Sequence, residues 1–140
     1  MDSCINYNLT GTLFIRLTGH KGKIYSLAQL PSGELVSGSF DGTIKIWNTN
    51  DWSLIRTLST QRYNLNALTV QQNGNLVGSS IDLTIKILNP VTGDLIRTLK
   101  GHTSPLTTVI VLKNGDIASG SSDSIIRIWN GNDGSLKRTL

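Results

Sequence analysis

The fold is decided by the stretch Asp41-Gly42-Thr43-Ile44-Lys45-Ile46-Trp47-Asn48. Its pattern returns 41 residues later as Asp82-Leu83-Thr84-Ile85-Lys86-Ile87-Leu88-Asn89, and again as Asp123-Ser124-Ile125-Ile126-Arg127-Ile128-Trp129-Asn130. The same spacing aligns Gly33 with Gly74 and Gly115, and no gap is needed. A fixed period of this length is typical of repeat architectures, in which each unit must stack on its neighbours to bury its apolar face.

Each period contains four short β-rich runs, separated by turn signals at intervals too short for helices. In the first complete unit we predict strands at residues 23–30, 34–38, 43–47 and 53–58. Four antiparallel strands joined by hairpins form one small twisted sheet. In the third unit the run 106–112 is apolar nearly throughout. We therefore expect it to be an innermost strand, packed on both faces.

The composition narrows the class of protein. The chain of 140 residues is 38% hydrophobic and 16% charged with 14 glycines, which suits a soluble, turn-rich protein. No apolar run approaches the ~20 residues that cross a bilayer, and the N-terminus lacks a signal-peptide pattern. We expect an intracellular protein, cytoplasmic or alternatively nuclear. Cys4 is the only cysteine, so we expect no disulfide, no metal site and no cofactor.

The net charge of +4 could indicate an acidic partner such as RNA or phospholipid. Six of the cations, however, share two repeat columns within the predicted strands. These columns are Lys45, Lys86 and Arg127, and Arg56, Arg97 and Arg138. Long cationic side chains in such positions solvate a sheet face or protect its edge. We therefore expect no membrane partner and disfavour nucleic acid.

These residues resemble the WD40 repeat family, whose units run from a Gly-His pair to a Trp-Asp pair over about 40 residues. Here Gly19-His20 leads to Trp47-Asn48, and Gly101-His102 leads to Trp129-Asn130. The resemblance implies an all-β fold made of β-propeller blades of four antiparallel strands. It covers three complete repeats and a partial N-terminal one, so the ring is incomplete.

Resemblance to the family also implies a structural tetrad, in which a His, an Asp, a Ser or Thr and the Trp form a hydrogen-bonded chain across the blade. In the first blade the matching residues are His20, Ser37, Asp41 and Trp47, and in the third they are His102, Ser119, Asp123 and Trp129. The second blade has Gln61, Gly78, Asp82 and Leu88 instead. Three of the four tetrad members are therefore missing together. This is expected, because a buried polar network with unpaired groups costs more free energy than the absence of the network.

A His-Asp-Ser set is also the composition of a catalytic triad. A triad needs an exposed nucleophile, an oxyanion hole and normally one copy. Because this set occurs twice at repeat spacing with a Trp as fourth member, we interpret it as structural. We expect no catalytic residues.

Partner binding is expected on the rim where the first strand begins and the second hairpin turns, again by resemblance to the family. The candidate residues are Lys23, Tyr25, Phe40, Arg62, Tyr63, Asn64, Asn66, Ile81, Pro105, Thr107 and Ser122. Phe40 and Ile81 directly precede the turn aspartates, where exposed apolar side chains would suggest a protein-contact patch. The alternative is that they pack on adjacent loops.

The expected organisation is one propeller domain in four segments. Residues 1–18 supply the last two strands of a partial blade, 19–59 the first blade, 60–100 a degenerate second blade and 101–140 the third. Three blades cannot close a ring, since propellers use four to eight. We expect the end faces to be covered by further blades in a longer chain, or by copies assembled head to tail.

The leading functional hypothesis is a non-catalytic scaffold that binds proteins or peptides through its rim loops. A second hypothesis is RNA or phosphoinositide binding through Lys21, Lys23 and Arg62. A third is an enzyme with chemistry at the central channel. It is disfavoured because the channel-facing strand ends carry mostly Asn, Thr and Tyr rather than convergent carboxylates or histidines.

Overall fold

The fold was obtained as a computed structural model, which describes residues 3–7 and 13–140, with side chains from residue 15 onward. A two-stranded antiparallel sheet comes first, formed by β1 (Ser3–Tyr7) and β2 (Leu13–Leu17). Its role as part of a preceding blade remains a prediction. Residues 1–2 and 8–12 of the expected segment 1–18, including Asn8, lie outside the described residues.

Three four-stranded antiparallel sheets follow, each with its strands in sequence order. Blade 1 contains β3 (Ile24–Gln29), β4 (Leu35–Ser39), β5 (Thr43–Trp47) and β6 (Leu54–Ser59). Blade 2 contains β7 (Leu65–Val70), β8 (Leu76–Ser80), β9 (Thr84–Leu88) and β10 (Leu95–Lys100). Blade 3 contains β11 (Leu106–Val111), β12 (Ile117–Ser121), β13 (Ile126–Trp129) and β14 (Leu136–Thr139). The all-β class and the four-stranded blades are as predicted from the sequence.

The blades are joined face to face, with their first strands innermost. Strand β7 lies between β3 and β11, so the first strands of all three sheets are neighbours. A short 3-10 helix, Gln61–Tyr63, connects blade 1 to blade 2. No helix in the described part of the chain is long and apolar enough to cross a membrane.

The hydrophobic core consists of two clusters, one in each gap between blades. The first cluster is formed by Val36, Ile44, Ile46 and Leu58 of blade 1 with Tyr63, Leu65, Leu68, Leu76 and Leu88 of the following unit. The second is formed by Val77, Ile85, Ile87 and Leu99 of blade 2 with Leu106, Val109, Ile117 and Trp129 of blade 3. We call the face of a blade toward the preceding unit its N-side face and the face toward the following unit its C-side face; blade 2 has a neighbouring blade on both.

Strand β11 corrects one expectation. It is innermost, as predicted, but it is packed on one face only. Leu106 and Val109 are buried against blade 2, whereas Ile110 points the other way and is half exposed. The reason is that no further sheet covers blade 3 in the described chain. The strands buried throughout their length are instead β8 and β9 of the central blade.

Candidate functional site

Four side chains of blade 1 form a continuous hydrogen-bonded chain. The Trp47 indole Nε1 donates to Ser37 Oγ at 2.9 Å, and Ser37 Oγ lies 2.7 Å from His20 Nε2. His20 Nδ1 lies 3.0 Å from Asp41 Oδ2. Because the carboxylate can only accept, His20 Nδ1 carries the proton, and the Ser37 hydroxyl then donates to His20 Nε2. The network crosses the blade from its third strand to the turn before it.

Blade 3 repeats this geometry with its own four residues. The corresponding pairs are Trp129 Nε1–Ser119 Oγ at 2.9 Å, Ser119 Oγ–His102 Nε2 at 2.8 Å and His102 Nδ1–Asp123 Oδ2 at 2.8 Å. Here Arg127 Nη1 also lies 3.1 Å from Asp123 Oδ2. The structure thus brings together both sets of four residues that the sequence singled out.

The aspartates of these two networks are ionised in the folded protein. Burial opposes ionisation of Asp41, but hydrogen bonds from the Thr43 hydroxyl, the Lys21 amide and the His20 ring outweigh it. The pKa of Asp41 therefore lies well below its usual range. The pKa of Asp123 is lowered in the same way, by hydrogen bonds from His102 and from two backbone amides that outweigh its desolvation.

The geometry does not suit nucleophilic catalysis. Ser37 and Ser119 are buried, and each hydroxyl is occupied by a tryptophan and a histidine. A triad serine must instead reach a substrate carbonyl. Among the described residues there is also no group of three or more His, Cys, Asp or Glu side chains arranged to hold a metal ion.

In blade 2, apolar side chains take the place of the four-residue polar network of blades 1 and 3. Gly78 stands at the serine position, and Leu65 occupies the space where a side chain on Gly78 would otherwise lie. Leu88, at the tryptophan position, is fully buried in the cluster between blades 1 and 2. Gln61, at the histidine position, turns instead toward Gly42 of blade 1. The joint loss of three polar members is thus compensated by close packing.

The cations of the first repeat column are buried or half-buried rather than solvated, which corrects the expectation from the strand pattern. Lys45 Nζ donates to Thr57 Oγ1 at 2.9 Å, and Lys86 Nζ lies 2.8 Å from Asp82 Oδ2. Arg127 pairs with Asp123, as described above. Of the three, Arg127 contacts a member of its blade's four-residue network, whereas Lys45 bonds to the outermost strand of blade 1 and Lys86 to the turn aspartate of blade 2.

The second column of cations links neighbouring blades, a role that sequence reasoning missed. Arg56 Nη1 donates to the Pro90 carbonyl at 3.2 Å, and Arg97 Nη1 donates to the Asn132 carbonyl at 2.6 Å. Arg56 and Arg97, on the outermost strands of blades 1 and 2, therefore each bind the last turn of the next blade. The regular spacing of these arginines was visible in the sequence, but their acceptors are backbone atoms that no residue pattern reveals.

The expected rim residues lie at one end of the blades, but they differ in accessibility. Phe40 and Ile81 are 64% and 56% exposed. The ring of Phe40 packs against the ring of Tyr25, and the two ring centroids are 5.2 Å apart. The other exposed candidates are Lys23, Arg62, Asn64, Pro105, Thr107 and Ser122. An apolar pair at two adjacent turns is thus surrounded by polar and charged side chains.

Tyr63 and Asn66 do not present their side chains to a partner as expected. Tyr63 is 6% exposed and belongs to the core between blades 1 and 2, with the Arg62 guanidinium 4.8 Å from its ring centroid. Asn66 is half-buried, accepts from Ser79 Oγ at 2.6 Å and donates to the Leu106 carbonyl at 2.6 Å. Tyr63 therefore packs in the core between blades 1 and 2, and Asn66 joins blade 2 to blade 3.

The sheets and networks together define part of a β-propeller, and comparisons with known proteins agree. The family model described as "WD domain, G-beta repeat" matches residues 11–48 and 93–130, which is more than half of the chain. The WD40 β-propeller domain of Doa1 superposes with a TM-score of 0.75 at 27% sequence identity, over 99% of this chain and 50% of that one. The chain belongs to the WD40 family.

Two curated relatives match shorter stretches. A periodic tryptophan protein 2 homolog of Neurospora crassa is 44% identical over 59 residues, which is 41% of this chain and 6% of that protein. Pre-mRNA-processing factor 19 of Oryza sativa subsp. japonica is 40% identical over 65 residues, which is 44% of this chain and 12% of that protein. The matched segments thus span only a small part of each relative's length.

Proposed function

We propose that this chain is a non-catalytic scaffold of the WD40 type, which binds proteins or peptides through the rim where Phe40 and Ile81 lie. The observation that carries this proposal is the exposure of those two apolar side chains at neighbouring turns. Exposed apolar groups within a polar surround are typical of protein contact sites. The blades supply a rigid platform, since their polar networks are satisfied internally.

The distribution of cations supports a protein partner over RNA or phosphoinositide. Most cations of the two repeat columns are engaged within or between blades and do not form a surface patch. On this rim Lys21, Lys23 and Arg62 are exposed. Three cations are few for an electrostatic footprint on a polyanion. We therefore do not propose a nucleic acid or a membrane as partner. We also propose that the protein is located in the cytoplasm or the nucleus.

The proposal also includes additional blades. The first and last blades each leave apolar side chains exposed on one face, Leu27 in blade 1 and Ile126 in blade 3. The matched Doa1 propeller domain is about twice as long as the matched arc. We infer that further WD40 blades, in a longer polypeptide or in other copies, cover these faces.

The rim proposal is tested by affinity purification with quantitative mass spectrometry. The double variant Phe40→Ser/Ile81→Ser removes the apolar pair. Val91→Ser is the matched control, because Val91 is also exposed but follows β9 at the opposite end of the blade. We expect a set of bound proteins that the double variant loses and the control retains. If both variants and the wild type recover the same proteins, the rim is not the binding surface.

A further inference from the structure

A cleft of about 120 Å³ opens on the rim between blades 1 and 2. The residues that line it include Tyr25, Phe40, Gln61, Asn64, Leu65 and Ile81. This volume is well above the ~10–15 Å³ that a single water molecule needs. The two exposed apolar side chains of the proposed contact surface, Phe40 and Ile81, therefore stand beside a cavity that can accept part of a ligand.

One lining residue carries an unsatisfied polar group. The Tyr25 hydroxyl is buried, and it is the one buried side-chain N or O atom among the described residues that has no hydrogen-bond partner. Its ring lies over Gly38, where a Cβ would come within 2.7 Å of it. Burying a hydroxyl without a partner costs free energy, so buried polar groups are nearly always paired. Among the described residues no side chain or backbone atom accepts a hydrogen bond from this hydroxyl.

Comparison along the repeat shows that this lack is specific to blade 1. The equivalent residue in blade 2 is Asn66, whose amide binds both Ser79 and the Leu106 carbonyl of the next blade. The equivalent residue in blade 3 is Thr107, whose hydroxyl lies 3.4 Å from the Gly120 carbonyl. Only at Tyr25 does the column leave its polar group unpaired, and only there does it border the cleft.

We propose that the cleft binds one neutral side chain of a partner peptide, with an apolar stem between Phe40 and Ile81 and an oxygen that accepts a hydrogen bond from the Tyr25 hydroxyl. Because this hydroxyl is buried in the unbound protein, the lining side chains must move apart for the oxygen to reach it. Glutamine has this chemistry. Its methylene groups suit the apolar walls, its carbonyl oxygen accepts from Tyr25, and its NH₂ group faces the side-chain amides of Gln61 and Asn64. This inference rests on the proposed rim function and names the ligand group that the rim selects.

The electrostatics favour a neutral group over a carboxylate. Burial raises the pKa of Tyr25, and the negative charge of Asp41 raises it further, so the hydroxyl remains a donor at neutral pH. The same charge of Asp41 repels an incoming glutamate. A norleucine side chain would fill the cleft but leave the hydroxyl unpaired. These three side chains therefore form a graded set of probes.

The experiment uses N-acetylglutamine N-methylamide and its glutamate and norleucine counterparts, titrated at millimolar concentrations into isotope-labelled protein and followed by NMR. We expect the glutamine compound to shift the resonances of Tyr25, Phe40 and Ile81 and to bind more tightly than the other two. Tyr25→Phe should weaken its binding roughly five-fold, as the loss of one neutral hydrogen bond predicts. The variant should unfold at the wild-type temperature or above, since the hydroxyl has no partner to lose.

Several results would overturn this inference. These are the absence of shifts around the cleft, equal binding by the glutamate compound, and unchanged affinity in Tyr25→Phe. The variant Val91→Ser, at the other end of the blades, should bind like the wild type. Failure of this inference is distinguishable from failure of the proposed function. Partners lost with Phe40→Ser/Ile81→Ser but retained by Tyr25→Phe would leave the rim as the binding surface and remove only the glutamine site.

Discussion

Lys86 Nζ lies 2.8 Å from Asp82 Oδ2, at the turn where blades 1 and 3 place a histidine beside the aspartate. The Asp82 side chain is 46% exposed, against 11% for Asp41 and 5% for Asp123. The partner change has therefore moved the carboxylate from the interior toward solvent. Blade 2 has an ion pair between a buried lysine and a half-exposed aspartate at its turn, and Leu65 and Leu88 fill its interior.

This difference predicts unequal costs of removing the partner of each aspartate. His102→Gln should lower the free energy of unfolding by about 1–3 kcal/mol, because it removes the buried imidazole that bonds to both Ser119 Oγ and Asp123 Oδ2. Lys86→Met should cost about 1 kcal/mol or less, because Asp82 is open to water. Urea unfolding of both variants measures the two values. Equal losses of unfolding free energy in the two variants would show that His102 and Lys86 stabilise their blades to the same extent.

The same network should respond cooperatively to replacement. Converting blade 3 to the blade 2 pattern requires three changes, His102→Gln, Ser119→Gly and Trp129→Leu. We expect the triple variant to lose less stability than the sum of the three single variants, because no half-satisfied polar group remains. Unfolding free energies of all four proteins provide the comparison. Strict additivity would mean that the four residues do not act as one network.

Stability should fall as the solution becomes acidic. The pKa values of Asp41 and Asp123 are lower in the folded protein than the ~3.9 of an unfolded chain. The unfolded state therefore binds protons first, so the stabilisation is fully present above about pH 5 and is lost as the pH falls below the unfolded value. Urea unfolding between about pH 6 and pH 3 measures this loss.

The control for the acid response is Asp41→Asn/Asp123→Asn. This variant should be less stable than the wild type at neutral pH, but its stability should change less on acidification, since the two titrating groups are gone. Parallel curves for the variant and the wild type would assign the acid response to other carboxylates.

Arg97 offers a test of the contact between blades with an internal control. Arg97→Met removes the hydrogen bond to the Asn132 carbonyl and should cost about 1 kcal/mol of unfolding free energy. Arg138 occupies the same repeat column, but in the described chain no blade follows it, so Arg138→Met should be nearly neutral at protein concentrations where the chain is monomeric. Thermal and urea unfolding separate the two variants. Equal effects would indicate that the arginines act through their own strand only.

Much of the strand arrangement can be predicted from the sequence alone, because the same residue types recur at equivalent positions of each 41-residue repeat. Trp47, Leu88 and Trp129 mark the third strand of each blade, and the predicted strand 43–47 has the observed bounds. The other three predicted strands of blade 1 each differ from the observed strand by one residue at both ends. Strong alternation with turn residues at a fixed offset locates strands well, since the side-chain period and the turn chemistry agree.

What could not be predicted depends on contacts between blades. The alternation in β5 assigns Lys45 to the polar face, but it does not reveal that this face is covered. Likewise, the sequence pattern suggests that Tyr63 is an exposed hot-spot residue, whereas the structure places its ring in the core between blades 1 and 2. The unpaired hydroxyl of Tyr25 is a property of three-dimensional packing, and no residue pattern signals it.

The uncovered end faces predict association. Leu27 on the N-side face of blade 1 is 61% exposed, although its equivalents Leu68 and Val109 are each 4% exposed. Ile126 on the C-side face of blade 3 is 49% exposed, although Ile44 and Ile85 are fully buried. The two exposed end faces thus correspond to the two sides of the interface between blades, which occurs twice within the chain. We expect light scattering of this 140-residue chain to give a mass above 15.2 kDa that rises with concentration.

The variants Leu27→Lys and Ile126→Lys should each lower the mass toward that of the monomer, because a buried lysine would be required at the joined faces. Ile96→Lys is the control. Ile96 is also 49% exposed, but it lies on the outermost strand of the central blade, which is flanked on both sides. A wild-type chain that stays at 15.2 kDa at every concentration would show that copies of it do not cover these faces. A fall in mass with Ile96→Lys as large as with Leu27→Lys would show that association does not use the end faces.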